Sequence, residues 1–101
     1  MFSFIKRLFS TGNAGLSEAL QQGAVILDVR TKAEYQQGHI AGSKNIPLNE
    51  IKLKADIIRQ WNKPVVTVCR SGSRSAMAKT ILKSAGIEVY NGGAWNALQT
   101  G

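Results

Sequence analysis

Cys69 is the only cysteine in the chain, and it stands between a β-branched run, Val65-Val66-Thr67-Val68, and the polar segment Arg70-Ser71-Gly72-Ser73-Arg74. A buried strand that hands the chain through a short loop to a helix brings several backbone N–H groups toward one point. That point is an anion site. The helix N-terminus contributes partial positive charge, the loop amides donate, and Gly72 permits the tight curl that aims them inward. A free thiol titrates near about 8.5, and such surroundings lower that value enough for thiolate to be the working species near neutral pH. The competing reading of Cys69 is a buried, inert small hydrophobe. The preceding strand run allows it, whereas Arg-Ser-Gly-Ser-Arg does not suit it. His39, the only histidine, lies thirty positions earlier, and nothing in that spacing supports a Cys–His pair. Activation is therefore assigned to the loop amides, the helix dipole and the two arginines. Those groups suit a nucleophile that attacks an already polarised sulfur, and acyl transfer is disfavoured.

The elements needed to hold this loop are legible on either side of it. Leu16, Ala19 and Leu20 predict a short helix capped at Gly23. Residues 24–29 form a nearly continuous apolar run, as expected for a central parallel strand covered on both faces. Residues 31–37 predict one or two helical turns. Residues 40–47 read as loop and a short strand near an edge, because Pro47 cannot serve a central strand. Leu48, Ile51, Ala55 and Ile58, flanked by Leu53, Ile57 and Trp61, predict one helix from about Asn49 to Trp61. Residues 65–68 predict an interior strand.

The next helix is predicted from Ser73 to a stop at Gly86. Its apolar stripe is Ala76, Met77, Ile81, Leu82 and Ala85, with Lys79 and Lys83 facing water. Residues 87–90 predict a further strand, Gly92 and Gly93 a turn, and Trp95 and Leu98 a last short helix docked on the core. Strands alternating with helices imply an α/β fold: a small parallel sheet of four to five strands flanked by helices on both faces, with ligand sites at the carboxyl ends of the strands.

At 101 residues and 44% hydrophobic content the chain has material for one core. The opening residues 1–14 read as an amphipathic extension and residues 15–101 as the domain. Lys6 and Arg7 interrupt the apolar opening before it reaches signal-peptide or membrane-spanning length, so a cytoplasmic protein without stable membrane insertion is expected. A short helix packed on the domain is the favoured reading of that extension, and contact with a membrane surface is its alternative. The net charge of +7 comes from 13 basic and 6 acidic residues spread along the chain. Such a field favours small anions over a nucleic-acid partner. One cysteine excludes an internal disulfide, and one cysteine with one histidine leaves too little for an ordinary zinc site. No metal or organic cofactor is implied.

Four separate motifs resemble the rhodanese homology domain. They are LDVR at 27–30, Glu34 with GHIAGSKNIP at 38–47, VVTVCRSGSRS at 65–75, and Tyr90-Asn91-Gly92-Gly93 with Trp95. The resemblance runs from about Leu16 to Leu98. It implies a sulfurtransferase: Cys69 attacks a small anionic donor such as thiosulfate, releases sulfite, keeps the outer sulfur as a persulfide, and passes it to cyanide or a thiol. A thioredoxin-like protein is among the acceptors it implies. By the same resemblance Cys69 is the catalytic nucleophile, and Arg70, Ser71, Gly72, Ser73 and Arg74 form the substrate-binding loop. Arg74 closes that loop and is ranked below Arg70 for direct contact. Asp28, Arg30, Glu34 and His39 fall at positions with structural roles, and Gly92, Gly93 and Trp95 read as a backbone turn and a core anchor.

Phosphatases and arsenate reductases that resemble this architecture place five residues between cysteine and arginine. Here there are four. The shorter loop suits one sulfur atom better than a tetrahedral oxyanion, and no acidic residue follows in it to act as general acid. Two further readings remain: a sulfur-relay module loaded by protein partners, and a phosphatase-like activity, which the loop disfavours. The sequence departs from the resemblance in its reduced first strand and in a Trp95 that follows the glycine pair early. A fifth strand is therefore expected to be weak or missing.

Overall fold

A computed structural model describes residues 15–98. Nine elements follow in order: α1 (Leu16–Gln21), β1 (Val25–Asp28), α2 (Lys32–Gln37), β2 (Lys44–Asn45), α3 (Leu48–Ile51), α4 (Ala55–Gln60), β3 (Val65–Cys69), α5 (Ser73–Ser84) and β4 (Val89–Ala94). The four strands form one parallel sheet in the order β2-β1-β3-β4. The expected class and strand number are met, with β2 on an edge just before Pro47. The expected extension over residues 1–14 lies outside the described residues.

β3 is central, and all five of its residues are buried. Its side chains alternate between two cores, as the period of a strand requires. Val65 and Cys69 pack with Leu27, Ile51, Ile58, Ala78 and Leu82 beneath α3, α4 and α5. Val66 and Val68 pack on the other face with Leu16 of α1, Ile26, Ile40, Tyr90, Trp95 and Leu98. A sheet covered on both faces explains the near-continuous apolar runs of β1 and β3.

Asp28, at the end of β1, is fully buried, and Arg30 is only 4% exposed. Two charges so deeply placed need partners, and they have them. Arg30 Nε and Nη2 donate to the Asp28 carboxylate at 2.8–3.1 Å, and Nη2 also donates to the Gly38 carbonyl at 2.7 Å. The guanidinium lies over the Trp95 ring, 4.5 Å from its centroid. One arginine thus ties the end of β1 to the loop after α2 and to the chain after β4.

Three expectations are corrected. The single helix over 49–61 is two short ones, separated by a turn at residues 52–54. Only Ile51 and Ile58 of that stretch are fully buried, while Leu53 is 84% and Ile57 54% exposed. The stretch is anchored to the core at two points rather than along a stripe, so it tightens between them, where the Ala55 N–H reaches the Lys52 carbonyl. In α5 the inward face is Ser75, Ala78 and Leu82, and Met77 is 56% exposed. That rotation follows from Ser75, whose hydroxyl turns to the Cys69 sulfur and whose carbonyl accepts from Thr67 Oγ1 at 2.9 Å.

The third correction concerns the Gly pair. β4 continues through Gly92 and Gly93, and a turn rather than a helix follows it. Thr67 pairs with Asn91 and Val68 with Gly93, leaving Gly92 as the extra residue of a bulge. A Cβ on Gly92 would lie 2.8 Å from Val66 Cγ1, 3.0 Å from Val68 Cγ1 and 3.1 Å from the Thr67 carbonyl. Gly92→Ala is therefore expected to lower stability by about 1–3 kcal/mol, as overpacking does, with an unchanged denaturant slope in equilibrium unfolding. An unfolding midpoint equal to that of the native chain would show that β4 yields without strain.

Candidate active site

Cys69 closes β3 at the carboxyl end of the sheet and is 1% exposed. One flank of the residue joins the apolar core under α5. The other meets donors. The Gly72 N–H reaches Sγ at 3.0 Å, and the Ser75 hydroxyl lies 3.4 Å from it.

This convergence has a local cause. Gly72 occupies the N-cap of α5 with φ 101°, a left-handed conformation in which an L side chain is strained, and no side chain caps the helix. Ser, Thr, Asp or Asn in that place would accept from the first amides of the helix. With glycine there, those amides stay available to the sulfur. Burial pushes the Cys69 thiol up, but the Ser75 hydroxyl and the amides of Ser75, Gly72 and Ser71 outweigh it, so the thiol titrates below its ordinary value.

Ser75 is itself held. Its hydroxyl donates to Asn91 Oδ1 at 2.6 Å, the same oxygen accepts the Gly93 N–H at 2.9 Å, and Asn91 Nδ2 donates to the Gly72 carbonyl at 3.2 Å. Asn91 therefore grips the loop and the serine together from the β4 bulge. The Trp95 N–H donates to the Cys69 carbonyl at 2.8 Å, fixing the strand end from the same side. Neither Ser75 nor Asn91 was singled out from the sequence, although both fall inside motifs quoted for the resemblance. The available signals were a hydroxyl in the first turn of the helix after the loop and a polar residue inside a strand beside Gly-Gly.

The remaining loop residues divide by partner. Arg74 donates through Nη1 and Nη2 to both oxygens of Glu34, at 2.7 and 3.0 Å. Glu34 meanwhile completes the capping box of α2 with Thr31. The Arg74 hydrogen bonds, followed by the Thr31 N–H, hold the Glu34 carboxyl at about 2. Arg74 thus closes the loop by anchoring it to α2, and its charge also bears on the Cys69 sulfur and on Asp28. Arg70, Ser71 and Ser73 are exposed, and Arg70 makes no hydrogen bond or ion pair among the described residues. His39 does not join the site. Its Nδ1 is 2.7 Å from the Tyr35 carbonyl, and its ring stacks on Tyr35 at 3.8 Å.

A low-pKa sulfur under amides, in a loop closed by an arginine after four intervening residues, is an arrangement suited to a nucleophilic thiolate. The profile of the rhodanese-like domain matches residues 13–98. The chain belongs to the rhodanese-like family. Among its relatives it is 41% identical over 61 residues to thiosulfate sulfurtransferase PspE of Escherichia coli (strain K12), a match that covers 59% of each chain. It is 40% identical over 63 residues to the putative sulfur carrier protein YrkF of Bacillus subtilis (strain 168), covering 62% of this chain and 34% of that one. The chain thus spans only part of the length of these relatives. Among solved structures, a rhodanese with anions from E. coli superposes with a TM-score of 0.67 at 36% identity, covering 76% of this chain and 95% of that one. Among the described residues of this rhodanese-like chain, no helix is long and apolar enough to cross a membrane.

Two outcomes follow from the geometry. Ser75→Ala removes the hydroxyl that lies 3.4 Å from Sγ and can turn its proton from Asn91 Oδ1 to a thiolate, so the thiol pKa, read from the pH dependence of iodoacetamide alkylation, is expected to rise. An unchanged or lower value would mean that the hydroxyl serves only Asn91. The Glu34 carboxyl is depressed from 4.5 to about 2, so its contribution to stability is complete above about pH 4.5 and is lost as pH falls toward 2. Both partners are about one-third exposed, which keeps the contribution at or below about 1 kcal/mol. The urea midpoint of Glu34→Gln is accordingly expected to fall less steeply between pH 4.5 and 2 than that of the native chain, and parallel curves would exclude the coupling.

Proposed function

We propose that the chain is a sulfurtransferase that moves sulfane sulfur from thiosulfate or a similar anionic donor to cyanide or a thiol through a persulfide on Cys69. The observation that carries this reading is the short Gly72 N–H bond to Sγ inside a loop of four residues closed by Arg74. In the first half-reaction the Cys69 thiolate attacks the outer sulfur of thiosulfate. The bond from Sγ to that sulfur forms as the bond to the sulfonate sulfur breaks, and its electron pair leaves with sulfite. In the second, an acceptor thiolate attacks the outer sulfur of the protonated persulfide, and the pair of the broken S–S bond returns to Sγ. No external oxidant or reductant enters.

The loop residues take distinct parts in this cycle. The amides of Ser71 and Gly72 steady the negative sulfur, and Ser73 extends their row at the start of α5. Arg70, exposed and unpaired among the described residues, is free to hold the donor anion. Arg74 contributes its charge from within its pair with Glu34. A loop of this size favours one added sulfur over a phosphoryl group.

A second reading, a relay module loaded by protein partners, is favoured by the likeness to a putative sulfur carrier. Kinetics separate the two. A relay module turns thiosulfate over feebly, yet a protein donor persulfidates it quickly.

Incubation with thiosulfate is expected to add one sulfur to the intact mass, removable by reductant, and Cys69→Ser is expected to abolish both that gain and thiocyanate production while retaining the fold. In the same assay Arg70→Ala should raise the apparent KM for thiosulfate by roughly fivefold, the loss of about 1 kcal/mol. Thiocyanate production that survives in Cys69→Ser would end the mechanism.

A further inference from the structure

The Asn91 side chain touches the loop, the hydroxyl beside the sulfur and the β4 bulge at once. It can do so because loop and bulge lie against each other, a Cβ on Gly72 standing 3.6 Å from Gly93 Cα. Its two ends are not interchangeable. The Gly93 N–H requires an acceptor, met at 2.9 Å, and the Gly72 carbonyl requires a donor, met at 3.2 Å, so the carboxamide is held with its oxygen toward the bulge and its nitrogen toward the loop. That orientation presents an oxygen to Ser75. The Ser75 hydroxyl has one proton, and at 2.6 Å it donates that proton to Asn91 Oδ1. Toward Sγ, 3.4 Å away, the same hydroxyl turns a lone pair, which can accept from the Cys69 thiol.

Ionisation of the sulfur reverses one link of this chain. A thiolate has no proton to give, and the hydroxyl proton turns to it. The thiol proton passes to water, while the hydroxyl proton stays on Oγ and changes only its direction. The turn costs little, because Oδ1 keeps the Gly93 N–H when Ser75 lets go. The rest of Ser75 is fixed: the residue is fully buried, and buried Thr67 donates to its carbonyl at 2.9 Å.

The charged groups on the elements around Cys69 are engaged elsewhere. Arg74 of α5 pairs with Glu34 of α2, Asp28 of β1 with Arg30, and Glu50 of α3 with Lys54. Arg70 is exposed, Lys79 and Lys83 lie farther along α5, and Tyr90, the titratable residue of β4, packs in the opposite core. The hydroxyl is the side-chain group in contact with Sγ whose direction can answer its charge.

Resting on the sulfurtransferase reading for its use in turnover, we propose that Asn91 is a positioning residue of the sulfur chemistry: Oδ1 holds the Ser75 proton while Cys69 is neutral and releases it to Sγ as negative charge arrives, and Nδ2 pins the Gly72 carbonyl so that the Gly72 N–H stays on the sulfur. Charge arrives at Sγ twice in that cycle, when the resting thiol ionises and when the electron pair of the persulfide bond returns to it. One hydroxyl turn meets both events.

The test follows the proton rather than the fold. The isotope-labelled native chain is titrated from about pH 5 to about pH 10, and the Gly93 amide is followed by NMR. As the thiol ionises, the Gly93 N–H is left alone on Oδ1, so its proton resonance is expected to move downfield with the midpoint that iodoacetamide alkylation gives for Cys69. In Ser75→Ala the movement should lose about half or more of its amplitude, leaving the through-space effect of the charge, and in Cys69→Ser it should vanish. Asn91→Asp grips the Ser75 proton with a carboxylate and offers the Gly72 carbonyl no donor. Alkylation at neutral pH is therefore expected to slow about two- to tenfold, and by less in a Ser75→Ala background.

A Gly93 resonance that ignores the thiol midpoint, or that follows it equally in the native chain and Ser75→Ala, would overturn the assignment. So would an Asn91→Asp effect on alkylation that is the same with and without the Ser75 hydroxyl, since a merely structural role predicts that result. Should a variant fail to fold, the native titration still decides, because a static Gly93 resonance sinks the proposal. Failure of the native chain to gain sulfur from thiosulfate would instead remove the sulfurtransferase reading and leave these ionisation readouts standing.

Discussion

The Cys69 sulfur sits at the end of a strand whose every residue is buried, yet its thiol titrates below the ordinary value, and the rest of the site accounts for that. Desolvation alone would keep Cys69 a neutral thiol. The answer is geometric and uses no cation in direct contact with Sγ. A helix begins four residues after the cysteine with glycine in a left-handed conformation at its cap, and the Ser75 amide that a capping side chain could have taken serves the sulfur instead, beside the Gly72 N–H. Negative charge on the sulfur is favoured by peptide dipoles that are covalently part of the loop and need no reorganisation when charge develops.

Dipoles work only while they stay aimed, and three attachments keep them so. Asn91 bonds the Gly72 carbonyl, the Ser75 hydroxyl and the Gly93 N–H from a bulge that exists because Gly92 has no side chain. Arg74 fastens the far end of the loop to Glu34 on α2. Arg30 joins Asp28 to the Gly38 carbonyl under the Trp95 ring, so that α2 and the segment after β4 keep their places at the same end of the sheet. A buried ion pair of this kind contributes little net stability against an apolar replacement, and its use lies in direction. Charged residues that surround the site in sequence thus divide into anchors, which are paired, and Arg70 and Lys79, which among the described residues are not.

Legibility followed the length scale of each interaction. The strands β1 and β3, the start of α5 at Ser73 and the edge position of β2 come from contiguous composition, and all were read from it. The stretch from Leu48 to Trp61 was misread because its period matched a helix throughout, whereas burial chose only Ile51 and Ile58 and left Leu53 and Ile57 in water. The face of α5 was misread for a related reason. A hydroxyl, Ser75, displaced Met77 from the interior because the sulfur and Asn91 needed it there.

What the sequence by itself determined was the lone cysteine at a strand end, the glycine that curls the loop, the four residues that separate Cys69 from Arg74 and the alternation of strand and helix, since each depends on residues adjacent along the chain. Only the tertiary structure decided that Arg74 spends its fork on Glu34, forty positions away, and that Asn91 reaches the loop from the far strand. The physical reason is that hydrogen-bond partners are selected by distance and direction in space. Where strands pair in parallel, neighbours in space come from crossovers that sequence spacing does not encode.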